Sequence, residues 1–344
     1  RGQAHGRDRS IPASTTERDR MLDVSTLPKA EFHLHLEATL GWREFARWMG
    51  TPEYDGLATA PWLGAVDPFP TFEEFLAPWR EHIAAALKQP RAYERWAEAS
   101  AAWLASLGVR YAEVSVGMNF MEKLGHKLEE AVPAMCRAME RAERAHGIVL
   151  RLVGALKRDA APAENVRWVE RWIALAASRL AGIDLHGYEL EGPTAPQKPA
   201  FDLARSAGLR LRAHAGEHGT WRDVRDAVEV LGVSSVNHGV RAVDDAGFMR
   251  ELVARRVALH VCPTSNVLLH VCPSYREHPI RTLMEAGVVV TVNSDDPLVF
   301  GTDINAEFAS LRLQDDEVLL LLRNAWDCAL VTSSERRVHL QAIA

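Results

Sequence analysis

The amino-acid sequence predicts a closed α/β barrel of eight parallel strands, (β/α)8, with extra helices after the first strand and at the C-terminus. Three observations carry that prediction. Eight short, nearly continuous apolar runs recur along the chain, which is how strands buried on both faces read. Segments with apolar residues at helical spacing alternate with them, implying parallel strands joined by right-handed crossovers. Finally, 344 residues suit either two domains of roughly 150 residues or one large barrel. No Gly-rich turn follows the first run, as it more often does in an open doubly wound sheet.

In chain order, residues 1–20 are polar, charged and aperiodic. They read as a disordered arm or an expression remnant, leaving residues 21–344 as one barrel domain. The expected strands are 30–35, 110–116, 149–155, 182–186, 210–214, 235–238, 258–262 and 288–293. Each is rich in Val, Leu or Ile and bounded by Gly, Pro, Asn or Asp. Helical periodicity falls at 90–107, 127–146, 163–180, 220–231, 244–255 and 280–287, with Val132, Met135, Cys136 and Met139 marking one apolar face. Residues 41–89 exceed the minimal repeat and carry Trp42, Trp48, Trp62, Phe69, Phe72, Phe75 and Trp79. Aromatics at helical spacing are usually core. Here, directly after the first strand, they are also expected to wall one barrel mouth. Residues 305–344 read as a helical tail, strongly apolar at 318–322.

Composition narrows the function classes. Hydrophobic residues at 47% and charged residues at 25% are ordinary for a globular chain. A net charge of −6 argues against a surface for nucleic-acid phosphates. No run approaches 18 apolar residues, and no signal-peptide pattern opens the chain. Four cysteines are too few for a disulfide framework, so a reduced, cytoplasmic protein is expected, with Cys262 and Cys272 as structural thiols.

The chemistry gathers at strand ends. His33 and His35 lie two apart on the first strand, so both imidazoles project into one space. Imidazole suits zinc and related ions, although such a pair is also satisfied by backbone carbonyls. His214 ends the fifth strand, where barrel active sites assemble, and Glu217 follows after a turn that Gly216 permits. His238 ends the sixth strand. Asp295 and Asp296 end the eighth, and paired carboxylates at a buried mouth imply a cation that keeps at least one ionised. Three histidines and an aspartate thus form a four-donor set, with His238, Glu217 and Asp296 left for proton handling.

These residues are similar to the adenosine deaminase family. The resemblance is carried by Leu27-Pro28-Lys29-Ala30-Glu31-Phe32-His33-Leu34-His35-Leu36-Glu37, His214-Ala215-Gly216-Glu217, His238-Gly239-Val240-Arg241, Cys262-Pro263-Thr264-Ser265-Asn266 and Ser294-Asp295-Asp296-Pro297. It runs in order from about Leu27 to Phe308. It implies a TIM barrel, one zinc ion per chain and hydrolytic removal of an amino group from an aminopurine. By the same resemblance His33, His35, His214 and Asp295 hold the zinc, and Glu217 protonates N1 of the purine. His238 orients or deprotonates the attacking water. Asp296 bonds N7 and the attacking oxygen, and the Gly187 N–H meets N3. The chemistry is coherent: attack on C6 needs hydroxide, and zinc lowers the pKa of water from about 15.7 to about 7. Glu217 must then stay protonated, which calls for burial.

The departures concern substrate. Nucleoside deaminases of the family commonly have Asp-Gly, the aspartate contacting the ribose 5′-hydroxyl, where this chain has Glu37-Ala38. His186-Gly187-Tyr188-Glu189 stands for Ala-Gly-Asp-Glu, and Asn237 for a glycine. The resemblance therefore implies adenosine or a modified, adenosine-like nucleoside in an unusual ribose pocket that Glu37 lines. Adenine or aminodeoxyfutalosine is the alternative, as is a barrel that binds a purine without turning it over. A cytidine-type zinc deaminase would need His-x-Glu with Pro-Cys-x-x-Cys, and neither occurs. A two-metal amidohydrolase would often place a lysine on the fourth strand, which has none. The expected partner is a small purine, with no nucleic acid or membrane, and the oligomeric state stays open.

Overall fold

The computed structural model describes residues 22–343, so the expected arm at 1–20 lies outside the described residues. Eight strands form one parallel sheet in the order of the chain: β1 (Lys29–His35), β2 (Val109–Val116), β3 (Val149–Lys157), β4 (Leu180–His186), β5 (Arg210–Ala215), β6 (Ser235–His238), β7 (Ala258–Val261) and β8 (Val289–Val292). Helices lie between them, for example Leu128–His146 between β2 and β3 and Pro162–Ala176 between β3 and β4. In the former, Val132, Met135, Cys136 and Met139 are all buried, as their spacing predicts. Gly147, at φ 64°, stops that helix in the left-handed region where a side chain would be strained.

The seam between β8 and β1 is closed differently from the rest. Leu34 bridges Asp295; the Asp295 N–H donates to His33 O at 3.0 Å and the His35 N–H to Asp295 O at 3.2 Å. Below that bridge a side chain replaces the ladder. Asn293 Oδ1 accepts the backbone N–H of Phe32 at 2.8 Å and of His33 at 3.3 Å. The barrel is thus nearly closed, with the chain after β8 laid against the histidine-bearing end of β1.

Several boundaries shift by a residue or two, and the largest departure lies before β4. Helical periodicity runs on to Leu180, but the helix stops at Ala176 and Leu180 opens β4. Pairing decides this: Arg179 O accepts the Leu152 N–H at 2.9 Å, and Leu180 sits opposite Leu152 of β3. A ladder to a neighbour outweighs the helical propensity of an alanine-rich stretch.

Residues 41–89 form short helices, including Trp42–Met49 and Phe72–Pro78, folded over the C-terminal mouth. Phe72 stacks on Tyr188 at 4.7 Å and Phe75 on Phe300 at 5.5 Å, so this cover touches the loops after β4 and β8. The tail forms Ile304–Leu311, Asp315–Cys328 and Ser333–Ala342. Trp326 donates its indole N–H to Pro28 O at 3.0 Å, tying the tail to the start of β1. The four cysteines are free, and Cys262 and Cys272 are buried. No helix of the described residues is long and apolar enough to cross a membrane.

Candidate active site

The strand ends bring the expected residues to one mouth. His33 and His35 leave β1, His214 leaves β5, His238 ends β6, and Asp295 follows β8. Asp295 and His238 both lie in the left-handed region, at φ 59° and 61°. Such conformations cost of order 1 kcal/mol or more in a non-glycine residue and persist where surrounding contacts enforce them. For Asp295 those contacts are the two backbone bonds to β1 described above.

The ring orientations decide what this cluster can hold. His33 Nδ1 lies 3.2 Å from His260 O. A carbonyl accepts only, so Nδ1 carries the proton and Nε2 is a bare lone pair. His214 Nδ1 lies 3.2 Å from the Asp184 carboxylate, and the same logic leaves its Nε2 bare. Those two bare nitrogens face each other at 2.9 Å. Asp295 Oδ1 sits 3.1 Å from His33 Nε2 and 3.2 Å from His35 Nε2. Facing lone pairs repel, so the arrangement fits a cation between them. Donors 2.0–2.2 Å from a tetrahedral zinc would be separated by about 3.3 Å, close to the spacings found here. The surrounding charges agree. Burial alone would strip His35 of a proton, yet Asp296 and Asp295 overcome it and lift its pKa to about 10. The pocket demands positive charge at that spot.

Around this donor set stand the acid–base candidates. Glu217 is buried, its Oε2 3.5 Å from His238 Nε2. Burial, followed by the charges of Asp295, Glu189 and Asp296, holds its carboxyl well above the usual range. Asp296 is 2% exposed, and its Oδ1 has no hydrogen-bond partner among the described residues. An orphaned buried acceptor costs about 1–3 kcal/mol, so Asp296 reads as an atom waiting for a ligand. Burial raises its carboxyl, whereas Asp295 is held well below the usual range: burial opposes this, but His33 and His35 outweigh it. Two adjacent carboxylates are thereby split into one ionised and one proton-retaining group.

Glu37 is also buried. Its Oε1 accepts from Tyr93 Oη at 3.2 Å and the Gly117 N–H at 3.4 Å. Gly187, the residue after β4, has φ 110°, a backbone region open to glycine. Cys262, read as structural from sequence, touches the site from behind, with Sγ 3.2 Å from His33 Nδ1.

Two residues here, Asp184 and Glu189, have no role assigned from the sequence. Asp184 on β4 takes His214 Nδ1 on one oxygen and the Asn237 amide on the other at 2.7 Å, and His186 Nε2 lies 3.2 Å from that second oxygen without a hydrogen bond. Asn237 and His186, two departures noted in the sequence, therefore converge on one carboxylate. Glu189 clamps the loop that carries Glu217. Its oxygens accept the N–H groups of Gly216, Glu217 and Gly219 at 2.7, 2.8 and 2.9 Å. Spatial adjacency alone reveals both roles.

Comparison with known proteins bears on this geometry. A family model described as adenosine deaminase matches residues 28–343. The chain is 32% identical over 331 residues to an adenine deaminase of Ralstonia nicotianae, spanning 93% of this chain and 95% of that one. The solved adenine deaminase from Arthrobacter aurescens is similar with a TM-score of 0.78 at 28% identity, covering 92% of this chain and 98% of that chain. A solved amidohydrolase from Burkholderia ambifaria, with bound Zn, is similar with a TM-score of 0.79 at 26% identity, covering 97% and 95%.

Proposed function

The chain belongs to the adenosine deaminase family, a hydrolytic deaminase acting on C–N bonds, and from that premise we propose that it removes the 6-amino group of adenine as the free base. The observation that carries the reading is the pair of bare imidazole nitrogens, 2.9 Å apart, with Asp295 beside them and a proton-retaining Glu217 across from His238. His33, His35, His214 and Asp295 would hold one zinc ion. Bound there, zinc supplies Lewis acidity that makes hydroxide available near neutral pH.

The chain's own groups do the rest. Glu217, kept protonated by burial and by its acidic neighbours, gives its proton to N1 as C6 becomes tetrahedral. Asp296, whose carboxyl keeps its proton, donates it in a hydrogen bond to N7 of the purine, and its Oδ1, without a partner among the described residues, accepts from the attacking water. His238 Nε2 faces the same space, and the Gly187 N–H meets N3. The balance closes as adenine plus water to hypoxanthine plus ammonia. One proton of water ends on N1 by way of Glu217, which gives a proton and regains one. The other leaves on the amino nitrogen.

Three points support the base over a nucleoside. Similar proteins carry the name adenine deaminase. Glu37 is buried and tied to Tyr93 and Gly117, where an open ribose pocket would want a freer acid. The reacting side chains are almost all buried, and aromatic pairs Phe72–Tyr188 and Phe75–Phe300 join the cover to the loops after β4 and β8, which favours a small ligand. The test is kcat/KM for adenine, adenosine, 2′-deoxyadenosine and aminodeoxyfutalosine, followed by ultraviolet absorbance, with zinc content measured alongside. Adenine is expected to lead by at least about 100-fold, the scale of one or two lost polar contacts. Adenosine leading by a similar factor would overturn the substrate. Zinc without turnover on any of them would favour a binding barrel.

A further inference from the structure

Deamination as read above requires His238 to present a defined nitrogen to the reacting water. We propose that Asn266 and His278 are positioning residues that hold His238 as its Nε2–H tautomer, through a one-way chain of hydrogen bonds anchored on the backbone N–H of Ile280. The inference rests on that reading, and it concerns two residues outside every motif role assigned so far.

The chain starts from a group whose direction is certain. Ile280 opens a helix (Ile280–Glu285), where the first N–H groups have no acceptor within the helix. Its N–H donates to His278 Nδ1 at 3.2 Å. With Nδ1 accepting, a neutral His278 carries its proton on Nε2, and burial, which lowers its pKa to about 4, keeps it neutral. His278 Nε2 lies 3.1 Å from Asn266 Oδ1, so it donates there. The Asn266 amide nitrogen then faces His238 Nδ1 at 3.1 Å and donates to it. His238 Nδ1 is thereby an acceptor, and its proton sits on Nε2. That nitrogen lies 3.5 Å from Glu217 Oε2 and 3.9 Å from Asp295 Oδ2.

The opposite direction is not available. Turning the Asn266 amide over would aim its oxygen at His238 and its N–H groups at His278 Nε2. His278 would then accept at both nitrogens and hold no proton at all, an imidazolate without a compensating charge. All three side chains are buried, with His278 at 5%, Asn266 at 0% and His238 at 1% exposure. Water is therefore not the competing donor. The consequence is a division of roles. His238 enters the site as a fixed hydrogen-bond donor that orients the attacking oxygen, and Nε2 is not the atom that removes its proton.

The experiment reads the tautomer directly, by nitrogen-15 NMR of histidine-labelled zinc enzyme, with His238 assigned from its loss in His238→Asn. A neutral His238 protonated at Nε2 is expected. Asn266→Asp, which places only acceptors opposite Nδ1, should move the proton to Nδ1. It should lower kcat by about 10–100-fold, the range typical of groups that orient a site's first layer, with KM and zinc content little changed. His278→Gln keeps an N–H donor toward Asn266 and should retain kcat within about threefold, while His278→Leu should lose it as Asn266→Asp does. The tautomer is read in the unmodified enzyme, so the result stands even where a variant does not fold. An Nδ1–H or doubly protonated His238 in an enzyme that deaminates a purine overturns the positioning and leaves the reaction standing. Absence of turnover with an Nε2–H His238 that Asn266→Asp reverses overturns the reaction and leaves the positioning standing.

Discussion

At the scale of single residues, each histidine ring is oriented by what its far nitrogen meets. His260 O and Asp184 leave His33 and His214 with bare Nε2 atoms aimed at one point. Glu217 lies outside that donor set, so its chemistry is separable from metal binding. Glu217→Gln is expected to lower kcat by about 10²–10⁴-fold, the usual worth of a proton donor, while zinc content stays at one per chain. Metal analysis with ultraviolet-monitored deamination checks both, and full turnover in the variant would refute the assignment. His33, His35, His214, His238, Asp295 and Asp296 were legible because each ends an apolar run, and Glu217 because it follows His214 within one short motif. Asp184 and Glu189 were not. An aspartate inside a strand or a glutamate in a loop has no pattern until the fold supplies its neighbours.

At the scale of elements, the seam between β8 and β1 carries both closure and chemistry. Everywhere else adjacent strands share a ladder, but here Asn293 stands in for part of it. Its Oδ1 takes two buried backbone N–H groups, and its amide donates to Thr291 O at 3.2 Å and Thr291 Oγ1 at 3.0 Å. Asn293→Ala would strand those donors, each costing about 1–3 kcal/mol. A loss of about 3 kcal/mol is expected by urea denaturation, with activity falling as His33 loses its backbone anchor. A loss below about 0.5 kcal/mol would show that the bridge through Asp295 suffices. The residue reads from sequence only as the last position of a strand. Its task becomes visible once the two ends of the sheet meet.

At the scale of the whole molecule, stability should carry the mark of acids buried with hydrogen bonds but without cations. Glu307 accepts from Thr302 Oγ1 at 2.7 Å and the Thr264 N–H at 2.9 Å. Burial raises its pKa from 4.5 to about 7 against those bonds. Between pH 4.5 and 7 the folded chain therefore holds a proton that the unfolded chain has lost. The sign follows: this group's contribution falls as pH rises through that window and is flat above it. Glu307→Gln has no such proton. The stability of the parent relative to the variant should decline by about 3 kcal/mol from pH 4.5 to 7.5, at 1.36 kcal/mol per pH unit. Urea midpoints across that range measure it, and parallel profiles would overturn the claim.

The sequence by itself determined the barrel, the strand ends and the chemical types gathered there. A period of two or 3.6 is a local property of the chain, and a polar residue ending an apolar run is readable without neighbours. Tertiary structure alone decided where one helix gave way to β4, how Asn293 closes the sheet, and which nitrogen each histidine turns inward. It also brought His186 and Asn237 onto Asp184, and Asn266 and His278 behind His238. These are matters of donors meeting acceptors as many as 261 residues apart in the chain, and a hydrogen bond has direction only when both partners are in place.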